Sequence, residues 1–216
     1  MREFFRQILT SKWSKAAAFF ACFGPLAWLG WRAYNVRLTA NPVEFVQHFT
    51  GDWTLRFLLI TLSITPLRKL FGLPDLIPFR RMFGLFAFTY VCLHFLTYLW
   101  PDQNFNFGGM MKDVAKRPFV TVGFLGFVLL LPLALTSTKG WIRRLGGKRW
   151  QALHRLIYVI ALCGVIHYYW LVKSDHRLPL LYGAILAVLL LYRLVSSLLK
   201  PRPAVIPAPR KASPST

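Results

Sequence analysis

The chain has 216 residues, 56% of them hydrophobic and 16% aromatic, with a formal net charge of +20. Its apolar residues gather in blocks such as 83–100, 119–135, 156–172 and 178–191, longer and more continuous than the periodic runs of a soluble domain. Lys and Arg cluster between those blocks, and nothing resembles an aromatic RNA-binding motif or a basic helix-turn-helix. The charge therefore reads as cations facing lipid headgroups of a bilayer, with no nucleic acid partner.

A membrane-spanning helix needs about 20 mostly apolar residues. The chain predicts an all-α, polytopic membrane helical bundle of six transmembrane helices, at roughly 16–31, 53–67, 82–100, 118–135, 151–172 and 179–198. Residues 1–15 form a basic N-terminus that precedes the first span. That span resembles a signal peptide in having Arg2, Arg6, Lys12 and Lys15 ahead of an apolar run. No small-x-small cleavage site follows it cleanly, and Trp28, Trp31 and Tyr34 read as interfacial anchors of an uncleaved helix. The second span carries Arg56 near its start, and Thr65-Pro66 marks its expected end. Tyr90, Tyr98, Trp100, Tyr168, Tyr169 and Trp170 read as an aromatic belt near one interface. Beyond the sixth span, residues 199–216 are basic and Pro-rich, with too few large apolar residues to fold, and read as a disordered tail.

Loop charge sets the expected orientation. Segments 1–15, 66–81, 136–150 and 199–216 hold 17 of the 27 Lys and Arg, against 7 in segments 32–52, 101–117 and 172–178. Acids run the other way: Glu44, Asp52, Asp102, Asp113 and Asp175 fall in the second group, and only Glu3 and Asp75 in the first. The positive-inside rule then places both termini in the cytoplasm. None of the acids falls inside an expected span. The cysteines Cys22, Cys92 and Cys163 all lie in apolar segments without a CxxC or CxxCH motif. They read as small packing residues, so a zinc site and covalently attached c-type haem are both unsupported.

Three histidines lie inside the expected spans. Ionisable or metal-ligating side chains are costly in hydrocarbon, so each is a functional candidate, and neutral imidazole is the commonest protein ligand for transition metals. His94 is six residues before Trp100, and His167 is six residues before Lys173. At the rise of an α-helix both sit about 9 Å below the outer interface. Two axial imidazoles on opposite faces of one haem iron, low-spin and six-coordinate, follow from that match and suit electron transfer. His154 lies near the inner interface, about 20 Å along the axis from His167 and about 140° away in phase. Gly164 is the place where a local distortion could narrow that angle. No second histidine stands at the inner depth. Arg80-Arg81 occupies that end of the third span, as a positive-inside anchor or as a receiver of a haem propionate or flavin phosphate. The bland alternative for each histidine is a polar residue hydrogen-bonded to a neighbouring helix. His48 and His176 read as solvated loop residues.

The third-span run RRMFGLFAFTYVCLHF, the fifth-span run RWQALHRLIYVIALCGVIHYYW, and the segments LGGKRWQALHRLIY and SITPLRK carry a resemblance. Over roughly residues 10–200 the chain resembles the ferric-reductase-like transmembrane domain. Within that group it is similar to the MsrQ family, the haem-binding membrane subunits of bacterial periplasmic methionine-sulfoxide reductase systems. No fused flavin or nucleotide domain is present, as in that family and unlike the oxidase relatives. The first histidine of the third span is missing, a departure from the two bis-histidine haems of those relatives. The resemblance implies a multi-pass protein of the bacterial inner membrane that binds b-type haem and is associated with FMN. It implies electrons taken from the quinone pool and passed to MsrP, a periplasmic molybdopterin methionine-sulfoxide reductase that repairs envelope proteins. His94, His154 and His167 match the haem-associated histidines of the family; no FMN-binding residue can be assigned. The methionine-sulfoxide chemistry would then reside in the partner, with no catalytic residue in this chain. The alternatives are a stand-alone ferric-reductase-like haem protein fed by a separate flavin reductase, a histidine-containing metal transporter, and a membrane anchor whose histidines only pack.

Overall fold

The computed structural model describes residues 2–35 and 38–199; all the secondary structure among them is helical. In chain order the α-helices are α1 (Arg2–Thr10), α2 (Lys12–Ala21), α3 (Gly24–Tyr34), α4 (Pro42–Phe71), α5 (Ile77–Thr97) and α6 (Phe107–Lys116). They continue with α7 (Pro118–Leu135), α8 (Lys139–Leu145), α9 (Gly147–His154), α10 (Leu156–Leu171) and α11 (Arg177–Leu198). Four helical stretches are long and apolar enough to cross a membrane: Pro74–Pro101, Pro118–Leu135, Gly147–Leu171 and Arg177–Leu198. They match the expected third to sixth spans. The tail expected at 199–216 lies, after Leu199, outside the described residues.

The two remaining expected spans differ from a single apolar helix in different ways. The 16–31 stretch is two helices, because Pro25 has no N–H to continue the ladder and the chain breaks at Cys22–Phe23. The Tyr90 hydroxyl donates to the Cys22 carbonyl at 2.9 Å across that break. Tyr90 is therefore a fully buried core residue and not part of an aromatic belt. Phe19, Phe23 and Phe86 pack edge to face around the same point.

The 53–67 stretch is only the middle of α4, which runs 30 residues from Pro42 to Phe71. Asn41 caps its start, accepting from the Glu44 N–H and donating to the Glu44 carboxylate at 3.0 Å. Gly72 ends it at a left-handed φ of 64°. Thr50, Thr54 and Thr61 are buried, and each hydroxyl donates to the carbonyl four residues back, so none is orphaned.

Pro66 does not end α4. A proline inside a helix frees the carbonyl of the residue four before it, here Leu62. The Arg193 guanidinium of α11 donates to that Leu62 carbonyl at 2.6 Å and also to the Tyr158 hydroxyl of α10. A neighbouring helix thus satisfies what the proline leaves open, as backbone in apolar surroundings requires. Arg193 is held inside the bundle instead of reaching away from it.

The core is the seam between α4 and α5, closed by α10 and α11. Leu55, Phe57, Leu58, Leu62, Phe86, Ala87, Ile160, Ala161 and Leu186 are all buried there. Arg6 of α1 pairs with Asp75 at 3.5 Å, and Lys69 lies over the ring of Tyr192. Residue 6, the turn at Pro74–Leu76 and the last part of α11 therefore share one end of the bundle.

Candidate cofactor site

A cavity of about 290 Å³ opens between α4, α5, α7 and α10. Its walls change character along the helices. Gln47, His48, Asp52, Tyr98, Arg117 and Tyr168 line it toward the start of α4 and α7. Leu55, Leu58, Val91, Phe127, Leu130, Ile160 and Gly164 line its deeper part.

His94 of α5 and His167 of α10 both line this space, with ring centroids 6.1 Å apart and ring planes at 81°. His94 Nδ1 lies 2.8 Å from the Gln47 carbonyl, and His167 Nδ1 lies 2.7 Å from the Phe119 carbonyl. A carbonyl only accepts, so each Nδ1 carries the proton and each Nε2 keeps its lone pair. A ligating histidine is oriented in this way, its other ring nitrogen donating to a carbonyl. Imidazole nitrogens bind first-row metals at about 2.0–2.1 Å, and a ring centroid lies roughly 1 Å behind its nitrogen, so an iron between two opposed rings needs centroids roughly 6 Å apart. At 6.1 Å the two rings would leave room for one iron held between them.

Two glycines make room for the rings. A Cβ on Gly123 of α7 would lie 2.6 Å from His167 Nδ1, and a Cβ on Gly51 of α4 would lie 3.0 Å from His94 Cε1. Each imidazole is thus seated over a bare stretch of helix backbone, one turn from the carbonyl that accepts its proton. Gly164 is also a packing glycine, with Leu55 Cδ1 3.3 Å from where its Cβ would be.

His154 is not in this cavity. It is the last residue of α9, and its Nε2 is 3.1 Å from the Thr136 hydroxyl at the end of α7. Its ring stacks on Trp150 at 3.9 Å, and Trp150 Nε1 donates to the Thr136 carbonyl at 2.9 Å. The expected 151–172 helix turns at Arg155, between α9 and α10, and not at Gly164. Among the described residues no group of three or more His, Cys, Asp or Glu is placed to hold a metal ion, so the facing pair suits a cofactor that brings its own equatorial ligands.

Sequence reasoning missed several of these residues. Asp52, expected in a loop segment, lies within α4 and lines the cavity. His48, expected to be an ordinary loop residue, is also on α4 and lines the same cavity. Gly51 and Gly123 carry no signal in sequence beyond being small residues in apolar helices.

Residues 50–165 match the family described as ferric reductase like transmembrane component. A relative from Herminiimonas arsenicoxydans, named protein-methionine-sulfoxide reductase heme-binding subunit MsrQ, is 56% identical over 181 residues, covering 83% of each chain. This chain belongs to the MsrQ family of ferric-reductase-like transmembrane proteins. The MsrQ of Caulobacter vibrioides is 53% identical over 80% of this chain and 82% of the relative, and that of Rhodospirillum rubrum 48% over 90% and 93%. No solved structure matches. As an MsrQ-family member with four helices of spanning length and composition, the chain is a multi-pass membrane protein.

Proposed function

We propose that this chain is a b-type haem electron-transfer subunit that passes electrons from the quinone pool to a periplasmic methionine-sulfoxide reductase. The observation that carries the reading is the pair of opposed imidazoles, His94 and His167, each with Nδ1 engaged by a backbone carbonyl and Nε2 directed away from it. These two residues would hold the haem iron, which when bound supplies a one-electron couple in a low-dielectric pocket. The chain's own contribution is to fix both rings, exclude water with the apolar lower walls, and bring the site within reach of one membrane face. Relatives named as heme-binding subunits of protein-methionine-sulfoxide reductase support the cofactor and the type of partner.

The finer reading follows the family resemblance: FMN as an associated flavin, MsrP as the periplasmic acceptor, and the bacterial inner membrane as the location. We read six spans with both termini cytoplasmic, residues 16–198 forming the haem-binding domain between a basic N-terminus and a basic tail. The shared end of Arg6, Asp75 and Lys69–Tyr192 supports an even number of crossings, and the loop charges support its cytoplasmic side. His154, stacked on Trp150 with Arg80 as its charged neighbour, is proposed as a ligand of a second, inner cofactor position.

Purified membranes or detergent-solubilised protein test the reading. Pyridine-haemochrome analysis should give b-type haem, and the ferric protein should show a low-spin spectrum. His94→Ala and His167→Ala should each abolish that low-spin signal; its persistence in both variants would overturn the assignment. Heat-released flavin fluorescence tests the FMN, and reduction by a quinol analogue tests the donor.

A further inference from the structure

One charged pair beside the cavity has no part in seating either imidazole. Asp52 and Arg56 lie one turn apart on α4, with Oδ2 and Nη2 3.8 Å apart. The Arg56 Nε donates to the Tyr182 hydroxyl of α11 at 2.8 Å, and its guanidinium lies 4.8 Å from the centroid of the Trp53 ring. Tyr168, adjacent in chain to His167, lines the same cavity as Asp52. Asp52 and Tyr168 line the cavity and Arg56 does not. The pair is therefore a fixed dipole with its negative end toward the space between His94 and His167.

We propose that the Asp52–Arg56 pair, held by Tyr182, sets the reduction potential of the redox group bound between His94 and His167. The proposal rests on the cofactor reading above. Oxidation of an iron centre adds one positive charge, and a carboxylate closer to the cavity than its guanidinium partner favours that state. Asp52 is only partly exposed, so the surrounding protein screens its field less than bulk water would. The pair thus makes the bound group a stronger reductant than histidine ligation alone would. Asp52 and Arg56 act through the field and are positioning residues, touching neither ligand ring in this role. Tyr182, itself buried, keeps the guanidinium turned toward α11 and away from the cavity.

The test is redox potentiometry on the detergent-purified full chain, followed at the low-spin haem band. Asp52→Asn keeps the shape while removing the charge. It should raise the midpoint potential with haem content and low-spin spectrum unchanged. Asp52→Glu should stay near the wild-type value. An Asp52→Asn potential that stays put or falls overturns the proposal, as does an equal shift in Asp52→Glu. Should Asp52→Asn purify without haem, Arg56→Gln at pH 9 decides, since an uncompensated carboxylate should lower the potential; a rise or no change overturns it. The two readings fail separately. Loss of the low-spin signal in His94→Ala with an unmoved Asp52→Asn potential rejects only the charge pair, whereas retention of that signal in both His94→Ala and His167→Ala rejects the cofactor site itself.

Discussion

At one end of the bundle, His94 and His167 each give their Nδ1 proton to a backbone carbonyl and turn the other nitrogen into shared space. At the other end, His154 has its Nε2 against a threonine hydroxyl and its ring flat on Trp150. Both ends place imidazole among apolar helices, yet only the first brings two imidazoles together with each Nδ1 engaged by a backbone carbonyl. The difference lies in the backbone. Gly51 and Gly123 let two helices pass directly beneath the rings, so the polar requirement of each imidazole is met by main chain. Beside His154 no glycine cradle exists, and side chains meet the requirement instead.

The largest effect that could break this contrast is loss of a ring. His94→Ala and His167→Ala should each remove the low-spin haem spectrum, while His154→Ala should leave that spectrum intact and lower only the total haem per protein. An unchanged haem ratio in His154→Ala would leave the inner histidine as a packing residue.

The cradle should come next. Gly123→Ala pushes a methyl to within 2.6 Å of the present His167 ring position, so the ring must shift and the Phe119 bond weaken. Haem retention should fall by roughly ten-fold or more, as for other losses of ligand orientation. Gly51→Ala, with a 3.0 Å approach, should do less. Competition with a haem-scavenging apoprotein measures both, and equal retention in all three proteins would reject the cradle.

A third, smaller effect concerns ring orientation. Imidazole planes at 81° direct π-donation along two perpendicular axes, which brings the iron orbitals they touch close to degeneracy. Frozen ferric protein should then give a strongly anisotropic low-spin EPR signal, with one large g value, and Gly123→Ala should reduce that anisotropy. A signal typical of parallel imidazoles in the wild type would show that ligand binding rotates the rings.

The smallest effects lie away from the facing pair. Arg193→Met leaves the Leu62 carbonyl without its donor, which costs about 1–3 kcal/mol for a buried unsatisfied group. Pro66→Ala restores the helical N–H, so Pro66→Ala/Arg193→Met should recover part of that loss in a thermal melt in detergent. Thr136→Val should cost about 1 kcal/mol or less and leave the low-spin spectrum unmoved.

Much of the helical plan was legible in apolar blocks and loop charge. The blocks at 82–100, 118–135, 151–172 and 179–198 correspond to stretches that are helical and apolar enough to cross a bilayer. Helix rise alone matched His94 with His167, because residues equally far from the ends of neighbouring antiparallel or parallel spans meet at one level. The misses share one cause. Pro25 lies at a helix break and Pro66 inside a continuous helix, and the partners of the nearby carbonyls, Tyr90 at Cys22 and Arg193 at Leu62, come from distant helices. Likewise Tyr90 resembles a belt aromatic by position, but its hydroxyl reaches a carbonyl exposed by a break 68 residues earlier.

Composition and periodicity by themselves determined that this chain is a helical membrane protein, since hydrocarbon admits no other use for such long apolar runs. They also determined which histidines share a depth, because depth is set by covalent spacing along a helix. Tertiary structure alone decided which imidazoles face each other, which carbonyls hold their protons, and that Asp52 turns into the same cavity while Arg56 turns away. Those outcomes depend on helix rotation and contact between neighbours, and glycine positions control them by permitting close approach. A histidine's place along its helix is written in the chain; the direction of its lone pair is settled only by what packs against it.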